Sequence, residues 1–208
     1  MGVGKNVATI DPLRHAKFRK VMAIPFLPKA LADGEARTIQ LISEIFDELP
    51  DDGEIDLLAD LTVRIPMAVI CDVLQLPADD WDDMLPWGSM TIRGTDPEFQ
   101  QGMAAETVSR GFKRLYDSSD GRASERCGCS FSDPLSLLAN AAVDGRLLSA
   151  SEVAHNAVRV ILAGFETTRN AVSGCVLALL EHPEQMALLL EDPKRLRLAT
   201  DSSISRAG

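Results

Sequence analysis

Residues 149–183, SASEVAHNAVRVILAGFETTRNAVSGCVLALLEHP, decide the fold of this chain. Ser149 followed by Glu152 three residues later is the capping-box pattern that begins a helix. No proline occurs between them and Pro183, and most of the intervening residues are apolar. The stretch therefore predicts one long helix that ends at about Leu180 and has a buried interior.

The rest of the chain also shows helical spacing of its apolar residues. Asp11-Pro12 has the form of a helix start, with proline at the first helical position. Residues 117–132 are polar and rich in serine and glycine, so they are predicted to form a linker. Strand patterns are nearly absent, and the predicted fold class is all-α. Further helices are expected over residues 35–49, 56–75 (two pieces, or one helix kinked at Pro66), 77–87, 96–116, 133–143 and 184–190.

The composition limits the classes of partner. The 208 residues are 46% hydrophobic and 25% charged, which excludes a wholly disordered chain. The net charge of −10 argues against a general nucleic-acid binder, because such proteins present a basic surface to phosphates. No run of about 18 uncharged apolar residues is present, so no membrane span is expected and the cytoplasm is the expected location.

The charge is unevenly distributed along the chain. Residues 1–31 have a local net charge of +5, whereas the rest of the chain has a net negative charge. Such a basic segment can dock an acidic partner or bind an anionic cofactor, and the alternative is a solvated helix face. Within it, His15 and Arg19 are four residues apart, so they share one helix face and could hold two carboxylates or a phosphate.

The segment AGFETT, residues 163–168, contradicts the preferences of a buried helix interior, because glycine, two threonines and a carboxylate are unfavourable there. The Thr167 hydroxyl is expected to bond the carbonyl of Ala163 and to open the helix locally. This would leave a polar notch for water or dioxygen, with Glu166 beside it as a proton carrier. The alternative is a kinked core helix in which Glu166 is paired with an arginine.

The other candidates for chemistry are weaker. Cys71 and Cys175 lie in apolar patterns and are predicted to be core residues. Cys127 and Cys129 form a Cys-Gly-Cys without a second pair at metal-site spacing, so an incidental loop pair is favoured over a redox or metal site. His155, three residues after a glutamate, has the spacing of a di-iron motif, but no second such pair exists. It is predicted to lie on the surface.

Taken together, these segments resemble the cytochrome P-450 family, the heme-thiolate monooxygenases, in their soluble bacterial form. The resemblance covers most of residues 9–196, and its segments follow one another in the family's order. They are residues 11–28 (C-helix region), 66–77 (E helix), 133–138 and 144–149 (H helix and the lead into the I helix), 163–168 (the oxygen-activating I-helix motif) and 182–185 (start of the J helix). The implied fold is a partial cytochrome P-450 fold, from the C to the J helix around a long central I helix.

The resemblance implies a heme cofactor and a set of residues that contact it. His15 and Arg19 would bind the heme propionates, which fits their common helix face. Ala163 and Gly164 would lie against the distal face of the heme, where a glycine lets a flat group approach the backbone closely.

The resemblance also implies residues for oxygen chemistry, substrate and electron donor. Glu166 and Thr167 would relay protons to oxygen, and Phe165 would border the pocket for a small apolar substrate. A ferredoxin-type electron donor would dock on the basic face of the first helix. The docking residues would be Arg14, Lys17 and Lys20.

The match stops near Thr200, so residues 1–200 are expected to form a partial cytochrome P-450 domain and residues 201–208 a divergent tail. That tail has no Glu-x-x-Arg motif, and none of the four cysteines has the context of the family's axial ligand. The expectation is a truncated relative, from a frameshifted or split gene, with impaired monooxygenation. Two alternatives stay open: a non-catalytic helical binding or interaction module, and an inactive remnant.

Overall fold

The capping box predicted at Ser149 is formed in the computed structural model of the chain, which describes residues 4, 6–76, 80–128 and 134–196. Ser149 Oγ accepts a hydrogen bond from the backbone N–H of Glu152, and the Glu152 carboxylate accepts one from the backbone N–H of Ser149 at 2.9 Å. Helix α7 then runs without a break over Ala150–Glu181. It ends at His182 because Pro183 begins the next helix.

The described residues form an all-α fold around α7, as predicted. One short antiparallel hairpin, β1 with β2, is the exception to the helical structure there. The elements in chain order are α1 (Pro12–Met22), α2 (Pro28–Asp47), α3 (Arg64–Val73), α4 (Trp81–Arg93), α5 (Ala104–Arg126), α6 (Pro134–Ala139), β1 (Ala142–Val143), β2 (Arg146–Leu147), α7 (Ala150–Glu181) and α8 (Pro183–Glu191). Three-residue 3₁₀ turns (Val7–Thr9, Ile24–Phe26 and Pro193–Arg195) and a π-helical turn (Leu57–Thr62) complete the described structure.

The core surrounds the first half of α7. Helices α3, α4, α5 and α6 all contact it, and α2 packs on α3 in turn. The largest buried cluster joins side chains of α3, α4, α5 and α7, among them Met67, Met84, Leu115 and Ile161. A second cluster joins α1, α6 and the hairpin to the start of α7. The first half of α7 is mostly apolar, and it has neighbours on most of its sides.

The linker predicted over residues 117–132 is wrong for its first ten residues. Helix α5 begins later than expected, at Ala104, and continues to Arg126. Its buried residues recur every fourth position and include Gly111, Ser119 and Ala123. These small residues allow close helix packing, so α5 has a buried face despite its polar composition. Residues 129–132 of the predicted linker, and the tail 201–208, lie outside the described residues.

The break before α3 and the turn of the hairpin both depend on the local backbone conformation. The predicted break within residues 56–75 is confirmed, but it falls at Val63, between the π-helical turn and α3, and Pro66 lies inside α3. A turn at Asp144-Gly145 closes the hairpin. Both residues have positive φ, 55° and 75°, which is the backbone of the two-residue turn that suits a tight hairpin.

The surface position predicted for His155 is also wrong. His155 is buried in α7, where its Nδ1 lies 2.7 Å from the Ser151 carbonyl and its ring packs edge-on against Tyr116. Its neighbour Asn156 is fully buried, and its side-chain oxygen accepts a hydrogen bond from the Val7 backbone N–H at 3.0 Å. This bond holds the N-terminal segment across α7.

No helix among the described residues combines the length and the apolar composition that a bilayer span requires.

The contact between α4 and α5 leads to a first prediction. A Cβ added at Gly111 would lie 2.7 Å from the Trp87 carbonyl oxygen and 2.7 Å from Thr91 Oγ1, whereas Gly121 on the same helix has nothing within 4 Å. We expect Gly111→Ala to lower the free energy of unfolding by about 1–3 kcal/mol, since overpacking outweighs the better helix propensity. Gly121→Ala, the matched control, should raise it by up to about 1 kcal/mol. Urea unfolding followed by circular dichroism measures both, and equal effects would contradict the close packing.

The start of α7 leads to a second prediction. A hydrogen bond from the Arg146 guanidinium, with further bonds from Ser149, lowers the pKa of Glu152 to about 2 despite its burial. A depressed carboxyl pKa stabilises the folded state above the unfolded pKa of 4.5, and this contribution is lost as the pH falls towards 2.

We therefore expect Glu152→Gln to lower the free energy of unfolding by about 2 kcal/mol at neutral pH, after allowance for the exposed arginine. The difference from the parent chain should shrink progressively below about pH 4.5. Urea titrations at several pH values measure it, with the exposed Glu35→Gln as control. A pH-independent difference would show that the pairing of Glu152 with Arg146 does not stabilise the fold.

Candidate active site

The middle of α7 forms the floor of a groove of about 710 Å³. Ala163 and Glu166 belong to the floor, and the walls come from the 3₁₀ turn at Val7, the end of α1 at Met22, and the facing ends of α4 and α5. The lining is mostly apolar, with Phe112 from α5 among its larger side chains. A concave apolar site with a few polar groups is the usual form of a small-molecule pocket.

The hydrogen bond predicted inside α7 is present. The Thr167 hydroxyl donates to the carbonyl oxygen of Ala163, one turn back. Both residues are exposed although they lie in the middle of the longest helix. The predicted local opening does not occur, because α7 keeps α-helical structure throughout. The polar notch is therefore formed by exposed side chains on an intact helix.

One carboxylate oxygen of Glu166 is hydrogen-bonded, and the other has no partner in the described part of the chain. Its Oε1 accepts a hydrogen bond from Arg169 at 2.5 Å, and Asn170 lies 3.5 Å away. This is the arginine pairing that the sequence left open as an alternative. The second oxygen, Oε2, is buried without a hydrogen-bond partner in the described part of the chain. The arrangement keeps a carboxylate at the edge of an apolar groove with one oxygen available to a proton.

The structure separates Gly164 and Phe165 from the groove. A Cβ added at Gly164 would lie 3.1 Å from the Cδ1 atom of Ile70, so the space beside this glycine is filled by α3. Phe165 is 1% exposed and lies in the core cluster with Met67. Successive helix positions differ by about 100°, so these two residues point to the core while Ala163, Glu166 and Thr167 face outward. The predicted close approach at Gly164 is thus used for helix packing.

His15 and Arg19 lie on α1 as predicted, one turn apart. His15 is half-buried and Arg19 exposed, and within residues 6–76, 80–128 and 134–196 neither side chain makes a hydrogen bond or an ion pair. Met22, one turn after Arg19, lines the groove. The helix that contributes a groove wall therefore presents two unpaired basic side chains.

The basic residues predicted to face an electron donor are not equivalent. Arg14 and Lys17 both pair with Asp144 of the hairpin, and the hydrogen bond from Lys17 lowers the pKa of that carboxyl. Arg14 also lies over the ring of Phe18. Lys20 is exposed and has no ion pair in the part of the chain that is described. The pairing leaves α1 with less free positive charge than its sequence indicates.

Arg159 is a groove residue that sequence reasoning missed. It lies one turn before Ala163 on α7 and lines the groove. Its Nε is buried without a hydrogen-bond partner. The signal for it was a single arginine inside the apolar run AVRVIL, residues 157–162, because a charge there is expensive unless it is paired.

No cysteine among the described residues lines the groove. Cys71 is a core residue, as predicted, and burial raises the pKa of its thiol to about 12, so it stays protonated. Cys127 is exposed and Cys175 half-buried, whereas Cys129 lies outside the described residues. Within that described part, no group of three or more His, Cys, Asp or Glu side chains is placed to hold a metal ion.

The ion pair in α7 leads to a third prediction. Glu166 and Arg169 are both largely shielded from solvent, with exposed side-chain fractions of 19% and 13%. We expect a double-mutant cycle with Glu166→Gln and Arg169→Met to give a coupling free energy of about 1–3 kcal/mol. The exposed pair of Lys113 and Asp117, also on a single helix, is the control and should give under about 0.5 kcal/mol. Chemical denaturation measures both cycles, and equal coupling would contradict the shielding of Glu166.

Comparison with known proteins identifies the family. The chain is 34% identical over 204 residues to a vitamin D(3) 25-hydroxylase of Pseudonocardia autotrophica, covering 95% of this chain and 49% of that protein. It is 30% identical over 203 residues to cytochrome P450 CYP107DY1 of Priestia megaterium, covering 98% of this chain and 48% of that protein. The structure of the open cytochrome P450 Eryk from S. erythraea superposes with a TM-score of 0.83 at 28% identity, covering 98% and 51% of the two chains.

No protein-family model matches the chain. The chain spans about half the length of the curated relatives that it matches. Those relatives and the Eryk structure agree with the helical architecture and with the resemblance seen in the sequence. Members of this family are heme-thiolate enzymes, so heme is the cofactor that the family implies. The chain belongs to the cytochrome P450 family and forms part of that family's fold.

Proposed function

We propose that this chain forms the oxygen-activating and substrate-binding part of a heme-dependent monooxygenase. The reaction would insert one oxygen atom into a C–H bond of an apolar substrate, with electrons from a ferredoxin-type donor. The observation that supports it is that Ala163 and Glu166 line a mostly apolar groove, with the hydroxyl of adjacent Thr167 bonded to the Ala163 carbonyl. A carboxyl and a hydroxyl at such a place are suited to moving protons where water is scarce.

The residues present fit part of a heme site. His15 and Arg19, unpaired on α1, would hold the two propionates through charge-assisted hydrogen bonds. Ala163 presents only a methyl group on an exposed helix face, which would leave room for a flat macrocycle. The heme, when bound, supplies the redox chemistry of oxygen. The described cysteines do not line the groove, so they would not contact the heme there. The described residues therefore fit the part of the site that would face the propionates and the distal side of the heme.

Different residues of the chain would then have different roles. Glu166 would hold a proton at Oε2, the oxygen that Arg169 leaves free. The Thr167 hydroxyl, anchored on the Ala163 carbonyl, would keep a water or dioxygen oriented. Gly164 and Phe165 would act through helix packing, by fixing how α7 rotates against α3.

The groove and α1 also indicate the partners within this proposal. A mostly apolar lining suits a small apolar substrate, in agreement with the vitamin D(3) named for one relative. An acidic ferredoxin-type protein would dock near Lys20, with Arg14 and Lys17 available when they exchange Asp144 for the partner's carboxylates. The proposed location is the cytoplasm.

A second candidate function has its own observation. The end of α7 and α8 expose large apolar side chains, including Leu177, Leu180 and Leu190. Large contiguous apolar surfaces mark places where a protein packs against another element or chain. A helical interaction module without catalysis would use this surface, and it would have no need of free cations on α1.

A titration of the chain with hemin, followed in the Soret band, distinguishes the two. We expect saturable binding, and we expect Arg19→Met to raise the Kd by about tenfold, because one charge-assisted hydrogen bond to a propionate is lost. The neighbouring exposed residue supplies the control, since Lys20→Met should change the Kd by less than about twofold. Hemin dimethyl ester, which has no free propionates, should bind the parent and Arg19→Met chains alike.

Three results would contradict this proposal. They are the absence of saturable binding, an equal effect of Lys20→Met, and a full effect of Arg19→Met on the dimethyl ester. The first of these would favour the interaction module.

A further inference from the structure

Arg159 is an unpaired cation inside an apolar groove. Among the described residues that line the groove, Arg159 and Glu166 are the charged ones. Glu166 is neutralised by Arg169 at 2.5 Å, and Arg169 is not a lining residue. Arg159 makes no ion pair with any described residue. The groove therefore has one uncompensated positive charge.

Arg159 is half-buried, and one of its donors is costly to leave without a ligand. A guanidinium has five N–H donors and no acceptor, and it stays charged at physiological pH. The Nε donor of Arg159 is buried and has no hydrogen-bond partner. A buried donor that has lost water and gained no acceptor destabilises the fold, so such groups usually have a partner or a function. No residue in the described part of the chain accepts a hydrogen bond from this Nε, whereas the open side of the groove admits a ligand that could.

We propose that the groove binds an apolar molecule that bears a carboxylate, and that Arg159 binds this carboxylate. As a statement about the substrate, the inference rests on the proposed monooxygenase function. A single guanidinium matches a single carboxylate by paired hydrogen bonds, and one acid group leaves the rest of the ligand free to be apolar, as the lining requires. The remaining lining, such as Phe112, Val108 and Ile92, contacts the apolar body of the ligand.

The helix geometry also orients the ligand. Arg159 precedes Ala163 by four residues and Thr167 by eight, which corresponds to about 6 Å and 12 Å along the axis of α7. A carboxylate on Arg159 therefore places carbons several bonds away from it beside Ala163 and Thr167. The predicted position of attack is remote from the acid group, near the opposite end of a medium-length ligand.

The test measures binding to the heme-free chain by isothermal titration calorimetry. The probes are two matched pairs: decanoate with 1-decanol, and 1-adamantaneacetate with 2-(1-adamantyl)ethanol. Each acid should bind about tenfold or more tightly than its alcohol, which is the range expected of a charge-assisted pair in a shielded site. Arg159→Gln should remove this preference and leave the binding of the alcohols unchanged. Arg159→Lys should retain part of it.

Two controls separate a binding role from a structural one. Arg114→Gln, at an exposed arginine of α5 outside the groove, should leave all four affinities unchanged. The thermal melt of ligand-free Arg159→Gln should not fall below that of the parent chain, because no contact within the fold is lost. A lower melt would mean that Arg159 is a structural residue and would overturn the proposal.

The inference is also overturned if acids and alcohols bind equally, if Arg159→Gln keeps the preference for acids, or if no probe binds. Its failure is distinct from failure of the proposed function. If the chain binds heme but shows no preference for acids, only the carboxylate site is contradicted. If it prefers acids but does not bind heme, the carboxylate site is supported and the monooxygenase function is contradicted.

Discussion

The first half of α7 is enclosed by other helices, and the rest of the structure depends on this burial. From Val153 to Ile161 the apolar positions of α7, apart from Val160 at the groove, are almost completely shielded from solvent by α3, α5 and α6. A helix placed in this way is covered by protein over most of its surface, so each neighbour must match its shape. Gly164 meets Ile70 of α3, and Gly111 of α5 meets the backbone of α4. These close approaches fix how the helices are rotated, and that rotation decides which α7 residues reach the groove.

The same burial defines where polar chemistry can occur. After Leu162 one face of α7 is less covered by other helices, although Phe165 still lies in the core, and the residues on this face include Ala163, Glu166 and Thr167. Polar groups at this boundary have reduced contact with water, which strengthens their electrostatic interactions. Of the four buried side-chain atoms that have no hydrogen-bond partner in the described residues, two belong to groove residues, Glu166 Oε2 and Arg159 Nε. Buried polar atoms without partners are uncommon in folded proteins, and these two lie at the proposed site.

The start of the enclosed segment is tied to the hairpin and to the N-terminal turn. Arg146 of the hairpin binds Glu152 at the start of α7, and Asp144 of the same hairpin binds Lys17 of α1. Asn156 holds the Val7 turn across α7. Through these contacts the hairpin, α1 and the N-terminal turn are positioned against one helix, so α1 and α7 share the groove. The basic residues of α1 thus acquire a fixed place relative to the polar groups of α7.

Several of these features follow from the sequence alone. The capping box at Ser149 and the hydrogen bond from Thr167 to the Ala163 carbonyl are local, so residues three or four positions apart suffice to predict them. The family resemblance is likewise contained in the order of short motifs, and it indicated an all-α fold and a heme cofactor.

The tertiary structure alone decided which helix faces are covered. Helix α5 continues through a polar segment because small residues every fourth position pack against other helices, and composition does not reveal that packing. Phe165 turned to the core and Arg159 was left unpaired for the same reason. Helical periodicity shows which residues share a face, but partners distant in sequence determine whether that face meets protein or solvent.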